Sequence, residues 1–158
     1  MDDTEASPID RDVSNQATGY THASPDGETV PDEWWSNLLL LPARGGPAGG
    51  GYSTATDLLR FAQALLSHQL LSSEMTATVL EAKVTLRTRA YSAYGYGFCV
   101  EQRGPMRIVG HTGGAPGINA QLDLYPDEGT IVAVLANQDP PAAGLVASRV
   151  RELIAPLS

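Results

Sequence analysis

The sequence contains one cysteine, one lysine and no long apolar run. Cys99 has no partner for an internal disulfide or a cysteine metal cluster, and its neighbours Phe98 and Val100 favour a core thiol over a reactive one. The longest apolar runs, such as IVAVLA at 131–136, are too short to span a membrane. The acidic segment 1–12 lacks a hydrophobic stretch and predicts no signal peptide.

Positive charge is also scarce. Ten basic residues stand against eighteen acidic ones, which gives a net charge of -8 and a pI of about 4.7. Binding to nucleic acid needs a basic face, so we expect no nucleic-acid partner. The basic residues are dispersed, which argues against a membrane anchor as well. The apolar fraction of 42% over 158 residues is that of a globular chain with a sizeable core.

Helical periodicity appears in the first half of the chain. Thr54 and Asp57 fit a capping box, in which each side chain binds a main-chain N–H of the first turn. Apolar residues then recur at helical spacing on one face: Leu58, Phe61, Ala62, Leu65 and Leu66. A second helix is predicted to begin at Ser72 or Ser73 and to stop near Lys83.

From Tyr91 onward the pattern is that of strands. YGYGFCVEQ and GPMRIVGHT are separated by a turn at 103–105, and INAQLDLYP alternates so that four apolar residues face one way: Ile118, Ala120, Leu122 and Leu124. TIVAVLANQ is apolar throughout and suits the middle of a sheet. The closing GLVASRVRELIAPL, 144–157, predicts an amphipathic helix with one apolar face: Leu145, Val146, Val150, Leu153 and Ile154.

This order predicts an α+β fold, with an antiparallel sheet of three or more strands and helices packed against it. We expect a single domain over 1–158. Within it, 1–48 forms a loop-rich arm and cleft wall, 49–83 is helical, and 91–158 holds the sheet and the C-terminal helix. The apolar block before the glycines, EWWSNLLLLPARGGPAGGG, fits either a wall beside a cleft or a plain core segment.

The stretch IVGHTGGAPG places His111 at a predicted strand end, followed by Thr112, Gly113 and Gly114. Glycines there allow a ligand to lie against the strand, where main-chain N–H groups can bind a carbonyl oxygen. Two such donors form an oxyanion hole, which stabilises the tetrahedral intermediate of acyl transfer. The alternative is a glycine-rich hairpin with an exposed histidine.

The ordered set GGGYSTATDLLRFAQALL, YGYGF, GHTGGAPG and YPDEGTIVAVLANQ resembles the C-terminal half of the serine β-lactamase and penicillin-binding-protein-like family. That family includes class C β-lactamases, D-amino acid peptidases and β-lactamase-like carboxylesterases. The resemblance covers nearly the whole chain and implies a hydrolase without metal or organic cofactor.

The resemblance assigns roles to the motif that begins at His111. His111, Thr112 and Gly113 match the family's third motif, Lys-Thr-Gly or His-Thr-Gly, and Gly114 matches the residue whose N–H donates to the oxyanion. Histidine has a reference pKa of roughly 6.5 against roughly 10.4 for lysine, so this motif anchors a substrate carboxylate weakly. This favours simple short-chain esters over β-lactams or peptides as substrates, and we expect Thr112, Gly113 and Tyr52 to contact the substrate.

Two family motifs are absent. Leu80 stands three places before the single Lys83, so Ser-x-x-Lys is missing, and no tyrosine begins Tyr-x-Asn. The chain therefore resembles a fragment that begins after both motifs. Ser53 in GYSTA is a candidate replacement nucleophile, with His111 as its base and an aspartate as orienting partner: Asp123, Asp127 or Asp139. Alternatively, Ser53 or Thr54 only caps the helix.

A second interpretation is a non-catalytic interaction module. In the family fold, further strands pair with the last strand of this segment, so TIVAVLANQ is expected to have a bare edge. Such an edge is a template for another chain. We therefore expect a homo-oligomer that forms through this exposed edge.

Overall fold

The computed structural model describes residues 1–8, 11, 13–26, 28–86 and 91–154. Its strands are β1 (Tyr20–Thr21), β2 (Trp35–Ser36), β3 (Val84–Thr85), β4 (Ala93–Tyr94), β5 (Cys99–Arg103), β6 (Met106–Ala115), β7 (Ile118–Tyr125) and β8 (Thr130–Ala136). Its helices are α1 (Ala55–Leu66), α2 (Ser73–Val79) and α3 (Ala142–Ile154), and a 3₁₀ turn covers Asn37–Leu40.

Strands β3 to β8 form one antiparallel sheet in chain order, and β1 pairs with β2 separately. Each strand follows its neighbour in sequence, which is the arrangement that short turns permit. The predicted turn lies between Arg103 and Met106, where Gly104 adopts a φ of 58°. The α+β prediction is confirmed. None of the helices in the described part of the chain has the length and apolarity that a membrane crossing requires.

Helix α1 begins as predicted, because the Thr54 side chain accepts a hydrogen bond from the Asp57 N–H at 3.1 Å. The prediction that the Asp57 side chain also binds a main-chain N–H of the first turn is wrong. The Asp57 carboxylate instead accepts from the Asp3 N–H and the Thr4 hydroxyl, both at 2.9 Å. Burial by itself raises the pKa of this carboxyl, but these hydrogen bonds outweigh burial and lower the pKa. Asp3 and Thr4 are thus hydrogen-bonded to the first turn of α1 through Asp57.

Helix α1 packs its apolar face on the sheet. The buried core cluster contains Ala62, Leu65, Leu80, Val100, Val109 and Leu124. Helix α2 begins at the predicted place, with Ser72 as its cap, and ends at Val79. The predicted end near Lys83 is too late, because the Lys83 N–H already bonds to the Tyr94 carbonyl and strand β3 follows at once.

Strand β7 shows the predicted alternation. Leu124 belongs to the core cluster beneath α1, and Leu122 packs against that cluster. The opposite, polar face is buried more deeply: Asn119 is 4% exposed, Gln121 5% and Asp123 0%. Helix α3 covers this face, since Arg151 binds Asp123. The sheet therefore has helices on both sides.

Helix α3 buries a different face from the one predicted. Its buried residues are Ala143, Ala147 and Arg151, whereas Leu145 is 66% and Leu153 71% exposed. The small alanines allow close approach to the sheet, and Arg151 supplies the charge that buried Asp123 needs. Polar pairing with β7 thus outweighs the apolar pattern. Residues 155–157 of the predicted helix lie outside the described residues.

Strand β8 pairs with β7 and forms one edge of the six-stranded sheet. The prediction that this apolar segment lies in the middle of the sheet is wrong for this chain, because its outer side has no strand partner in the described ranges. Its residues are accordingly half-buried, and Leu135 is 41% exposed. The exposed edge expected from the resemblance is present.

Candidate active site at the open half of strand β6

Strand β6 extends past its neighbour β5. Cys99, the first residue of β5, pairs with Gly110, so β5 covers β6 only up to that point. From His111 to Ala115, β7 is the one strand partner of β6 among the residues that the structure describes. The residues after His111 were expected to leave the strand as a glycine-rich loop, but they continue it. We call residues 111–115, with their exposed side away from β7, the open rim.

The ladder pattern decides which main-chain groups point outward. Ala115 pairs with Ile118 across a two-residue turn, in which Gly117 has a φ of 72°. Hydrogen-bonded and non-bonded pairs alternate along an antiparallel ladder. His111, Gly113 and Ala115 therefore bond to β7, whereas the N–H and C=O groups of Thr112 and Gly114 point away from β7. The Gly114 N–H lies on the side that a substrate carbonyl can approach.

Asn119 holds the rim against helix α3. Its amide nitrogen donates to the Gly113 carbonyl at 2.8 Å, and its amide oxygen accepts from the N–H groups of Ala143 at 2.8 Å and Gly144 at 3.2 Å. The first N–H groups of a helix lack partners within the helix, so Asn119 acts as their cap from a distant strand.

Close packing makes glycine necessary at Gly114. A Cβ atom there would lie 2.9 Å from the ring of Pro140. At Gly113 the nearest atom to such a Cβ is the Ala120 Cβ at 3.6 Å, which is an ordinary contact. Of these two predicted site glycines, Gly114 is the one that the packing requires.

His111 projects from the exposed rim and has two hydrogen-bond partners. Its Nδ1 lies 2.7 Å from the Thr112 carbonyl oxygen, and its Nε2 lies 3.2 Å from the hydroxyl of Tyr94. The two rings meet edge to face, with centroids 5.8 Å apart. Sequence reasoning missed Tyr94 as a site residue, although it is the first tyrosine of the YGYGF motif.

The structure does not bring Ser53 to His111. The Ser53 hydroxyl lies 2.9 Å from the Thr4 hydroxyl and 3.3 Å from the Thr54 carbonyl oxygen, and no hydrogen bond joins it to His111 in the described chain. Tyr52 exchanges main-chain hydrogen bonds with Glu5, at 3.1 and 2.8 Å. Ser53 and Tyr52 therefore lie beside the N-terminal segment, and Thr54 is the helix cap.

None of the three candidate aspartates bonds to His111 in the residues described. Asp123 is buried with Arg151, and Asp127 lies 3.7 Å from the Arg107 guanidinium. Asp139 accepts hydrogen bonds from the main-chain N–H groups of His22 at 2.9 Å and Gly117 at 2.7 Å. Burial raises the pKa of Asp139, but these bonds outweigh burial and lower it. Asp139 thus positions the hairpin tip rather than an imidazole.

An open cleft of about 400 Å³ lies beside the rim. Its lining includes Gly114, Ala115 and Pro116 from the hairpin, Asp139 and Pro140 before α3, and Thr21, His22, Ala23 and Thr29. His22 is one of these lining residues. Its ring lies against that of Trp34, with centroids 3.9 Å apart and the planes tilted by 38°, and its Nδ1 lies 2.8 Å from the Glu33 carbonyl oxygen. Among the described residues, no group of three or more His, Cys, Asp or Glu is placed to bind a metal ion.

Comparison with known proteins gives a consistent result. The family model described as Beta-lactamase matches residues 1–155. Penicillin-binding protein 4* of Bacillus subtilis (strain 168) is 28% identical over 131 residues, which are 80% of this chain and 29% of that protein.

Solved structures agree with this match. The penicillin binding protein from Bacillus halodurans is 30% identical with a TM-score of 0.78, over 93% of this chain and 44% of that one. The D-amino acid amidase from Ochrobactrum anthropi SV3, solved with D-phenylalanine, is 25% identical with a TM-score of 0.75, over 98% and 48%. The chain spans less than half the length of each of these relatives.

Proposed function

This chain belongs to the beta-lactamase family, and on that premise we propose that its open rim forms the oxyanion-binding side of an acyl-transfer site that hydrolyses short-chain carboxylic esters. The observation that carries the proposal is the main chain of Gly114. Its N–H points to the unpaired side of β6, three residues after His111.

The chemistry needs a donor where negative charge develops. When a hydroxyl attacks an ester carbonyl, the carbonyl oxygen becomes an oxyanion, and a preorganised N–H stabilises it more than it stabilises the ester. Removal of one such donor costs roughly 10²–10³ in rate. Thr112 and Gly113 then flank the bound ester, and Tyr52 is proposed as a further contact.

The nature of the third motif supports an ester over a charged substrate. A lysine here would place a permanent cation beside the oxyanion donor, which favours substrates that carry a carboxylate. Histidine at this position does not supply a permanent cation. A neutral ester makes no demand for such a cation, and this is why we place short-chain esters before β-lactams and peptides.

The nucleophile that we propose for this site is Ser53. Ser-x-x-Lys is absent from these 158 residues, and Ser53 remains the candidate replacement. Its hydroxyl must break its contact with Thr4 and approach the rim before it can act. We therefore expect slow turnover from this chain.

The test is hydrolysis of p-nitrophenyl acetate and butyrate by wild type, Ser53→Ala and His111→Ala. Ser14→Ala and His68→Asn are matched controls, because Ser14 is exposed and asparagine tolerates the φ of 59° at His68. We expect both site variants to fall to the buffer background while both controls keep wild-type rates. Equal rates in all five proteins would exclude the proposed site, and background rates in wild type would favour an interaction module.

A second function, assembly with further copies of the chain, is proposed from the β8 edge. The edge strand is half-buried, lacks proline and exposes Leu135, all of which leave it able to pair with another strand. Light scattering on a size-exclusion column at micromolar concentration should show a homo-oligomer. Leu135→Lys should weaken it and Leu39→Lys, at a 77% exposed site off the sheet, should not. A purely monomeric wild type would contradict this second function.

A further inference from the structure

We propose that Tyr94 is the residue that exchanges a proton with the substrate at the open rim, and that His111 stores this proton. The inference rests on the proposed acyl-transfer function and adds a catalytic residue to it. It follows from the hydrogen bonds of one imidazole ring.

The partners of His111 determine its tautomer. A carbonyl oxygen only accepts hydrogen bonds, so the nitrogen that lies 2.7 Å from the Thr112 carbonyl must carry the proton. In a neutral ring the other nitrogen, Nε2, then has a lone pair and no proton. The hydroxyl 3.2 Å away on Tyr94 can therefore only donate to Nε2.

This arrangement changes which group meets the substrate. The one basic nitrogen of neutral His111 is already occupied by the Tyr94 hydroxyl, so an attacking hydroxyl cannot reach it without displacing Tyr94. The phenolic oxygen has lone pairs left to accept a hydrogen bond after its own proton is donated. Tyr94 is half-buried and His111 is exposed, so the pair is open to solvent at the rim.

The fold places Tyr94 next to the rim. Tyr94 pairs with Cys99, and Cys99 pairs with Gly110, the residue before His111. The turn after Tyr94 is tight, because the Gly95 N–H bonds to the Phe98 carbonyl at 2.7 Å and a Cβ on Gly95 would lie 2.3 Å from the Glu81 carbonyl oxygen. Gly95 thus allows the strand end that carries Tyr94 to approach the segment after α2.

The proton path balances in both directions. As a hydroxyl oxygen bonds to the ester carbon, its proton passes to the Tyr94 oxygen, the Tyr94 proton passes to Nε2 of His111, and the carbonyl electron pair becomes the oxyanion at the Gly114 N–H. His111 is then an imidazolium whose Nδ1–H still binds the Thr112 carbonyl. When the tetrahedral intermediate collapses, the bond to the leaving alkoxide breaks and the proton returns to the alkoxide by the same path.

Tyr94→Phe tests the inference, with Tyr96→Phe as the matched control. Tyr96 belongs to the same motif but is 63% exposed, and the Lys83 amine lies over its ring, 5.7 Å from the ring centroid. Two substrates are compared: ethyl butyrate, whose alkoxide needs a proton to leave, and p-nitrophenyl butyrate, whose phenolate does not. General acid–base groups contribute roughly 10²–10⁴ in rate. We expect Tyr94→Phe to lose about 10² on ethyl butyrate and distinctly less on the nitrophenyl ester.

Rates equal to those of Tyr96→Phe would overturn the role of Tyr94, and equal losses on the two esters would overturn its return of the proton to the alkoxide. Both results would leave the proposed function intact. Absence of hydrolysis in wild type would instead overturn the proposed function. A measurement without substrate separates the two cases: ¹⁵N–¹H correlation of the His111 ring. The Nδ1–H tautomer, with an Nε2 resonance that shifts in Tyr94→Phe and not in Tyr96→Phe, supports the pair, and an Nε2–H tautomer refutes it.

Discussion

Arg151→Met is predicted to be the most destabilising single change on helix α3. Arg151 is 8% exposed and donates four hydrogen bonds. Two go to the Asp123 carboxylate at 2.6 and 2.7 Å, one to the Tyr91 hydroxyl at 3.0 Å and one to Glu101 at 3.2 Å. Methionine retains the apolar stem and removes all four donors. Asp123, which is 0% exposed, is then left as a buried anion.

The expected size of the effect follows from that burial. Removal of one partner of a buried ion pair costs about 3–5 kcal/mol, because the remaining charge has lost its compensation. Gln121 still donates to Asp123 at 2.7 Å, which places the estimate at the lower end, about 3 kcal/mol. Since the total stability of a domain is roughly 5–15 kcal/mol, this is a large fraction of it. For a chain of this length the melting temperature should fall by roughly 6–12 °C.

Urea unfolding followed by circular dichroism measures the change, with calorimetry for the melting temperature. Arg149→Met is the matched control on the same helix. The Arg149 side chain is 74% exposed, and its ion pair with Glu152 is a surface pair worth about 0–1 kcal/mol. If Arg151→Met costs no more than Arg149→Met, the buried network does not hold α3 on the sheet and the reasoning is wrong.

Three further predictions concern polar groups that are buried, as Tyr125 and Asn119 are, or half-buried, as Asp139 is. Tyr125→Phe should raise the free energy of unfolding by about 1 kcal/mol, since the hydroxyl is buried without a partner among the described residues. Burial and the nearby Asp123 raise the pKa of Tyr125 to about 12. The folded state therefore favours the protonated phenol, and wild type should lose stability as the pH rises from 10 to 12. Urea midpoints should show a smaller loss over this range in the variant. Asp139→Ala should lower the free energy of unfolding by about 2 kcal/mol at pH 7. Because the pKa of Asp139 is lowered in the folded state, its contribution to stability is present above the ordinary pKa near 3.8 and is lost as the pH falls further. The difference between variant and wild type should therefore be smaller in urea titrations at pH 3. Asn119→Ala should lower the free energy of unfolding by about 2 kcal/mol. It should also speed hydrogen exchange at the Ala143 amide, whereas Asn137→Ala, at an exposed site, should leave the exchange of that amide unchanged.

Two of these groups also hold the open rim in place. Asn119 ties the Gly113 carbonyl to the first turn of α3, and Asp139 ties the Gly117 N–H to the segment at His22. Both act on main-chain atoms at the tip of the β6–β7 hairpin. The rim can therefore remain exposed and still have a defined geometry, which an oxyanion donor requires.

The local features of the chain could be predicted from the sequence because they depend on near neighbours. The cap at Thr54, the start of α2 at Ser72, the turn after Arg103 and the alternation of β7 each arise from residues a few positions apart. The α+β order follows from a change of period along the chain. The third motif at His111 was recognisable for the same reason.

The helix face that α3 buries could not be predicted in this way. Its apolar pattern favoured Leu145 and Leu153, but the strand that it meets presents Asn119, Gln121 and Asp123. The choice depends on a pairing between Arg151 and Asp123, which are 28 positions apart. No periodicity within α3 contains that information.

The sequence by itself indicated the three helices and the alternating strands of the second half of the chain, and it placed a histidine and three small residues together at one point of a strand. Tertiary structure decided which side of that strand is open, which hydroxyl meets His111, and which carboxylates are buried elsewhere. The physical reason is distance along the chain. Hydrogen-bond direction and burial depend on partners that only folding brings together, such as Tyr94 with His111, 17 positions apart.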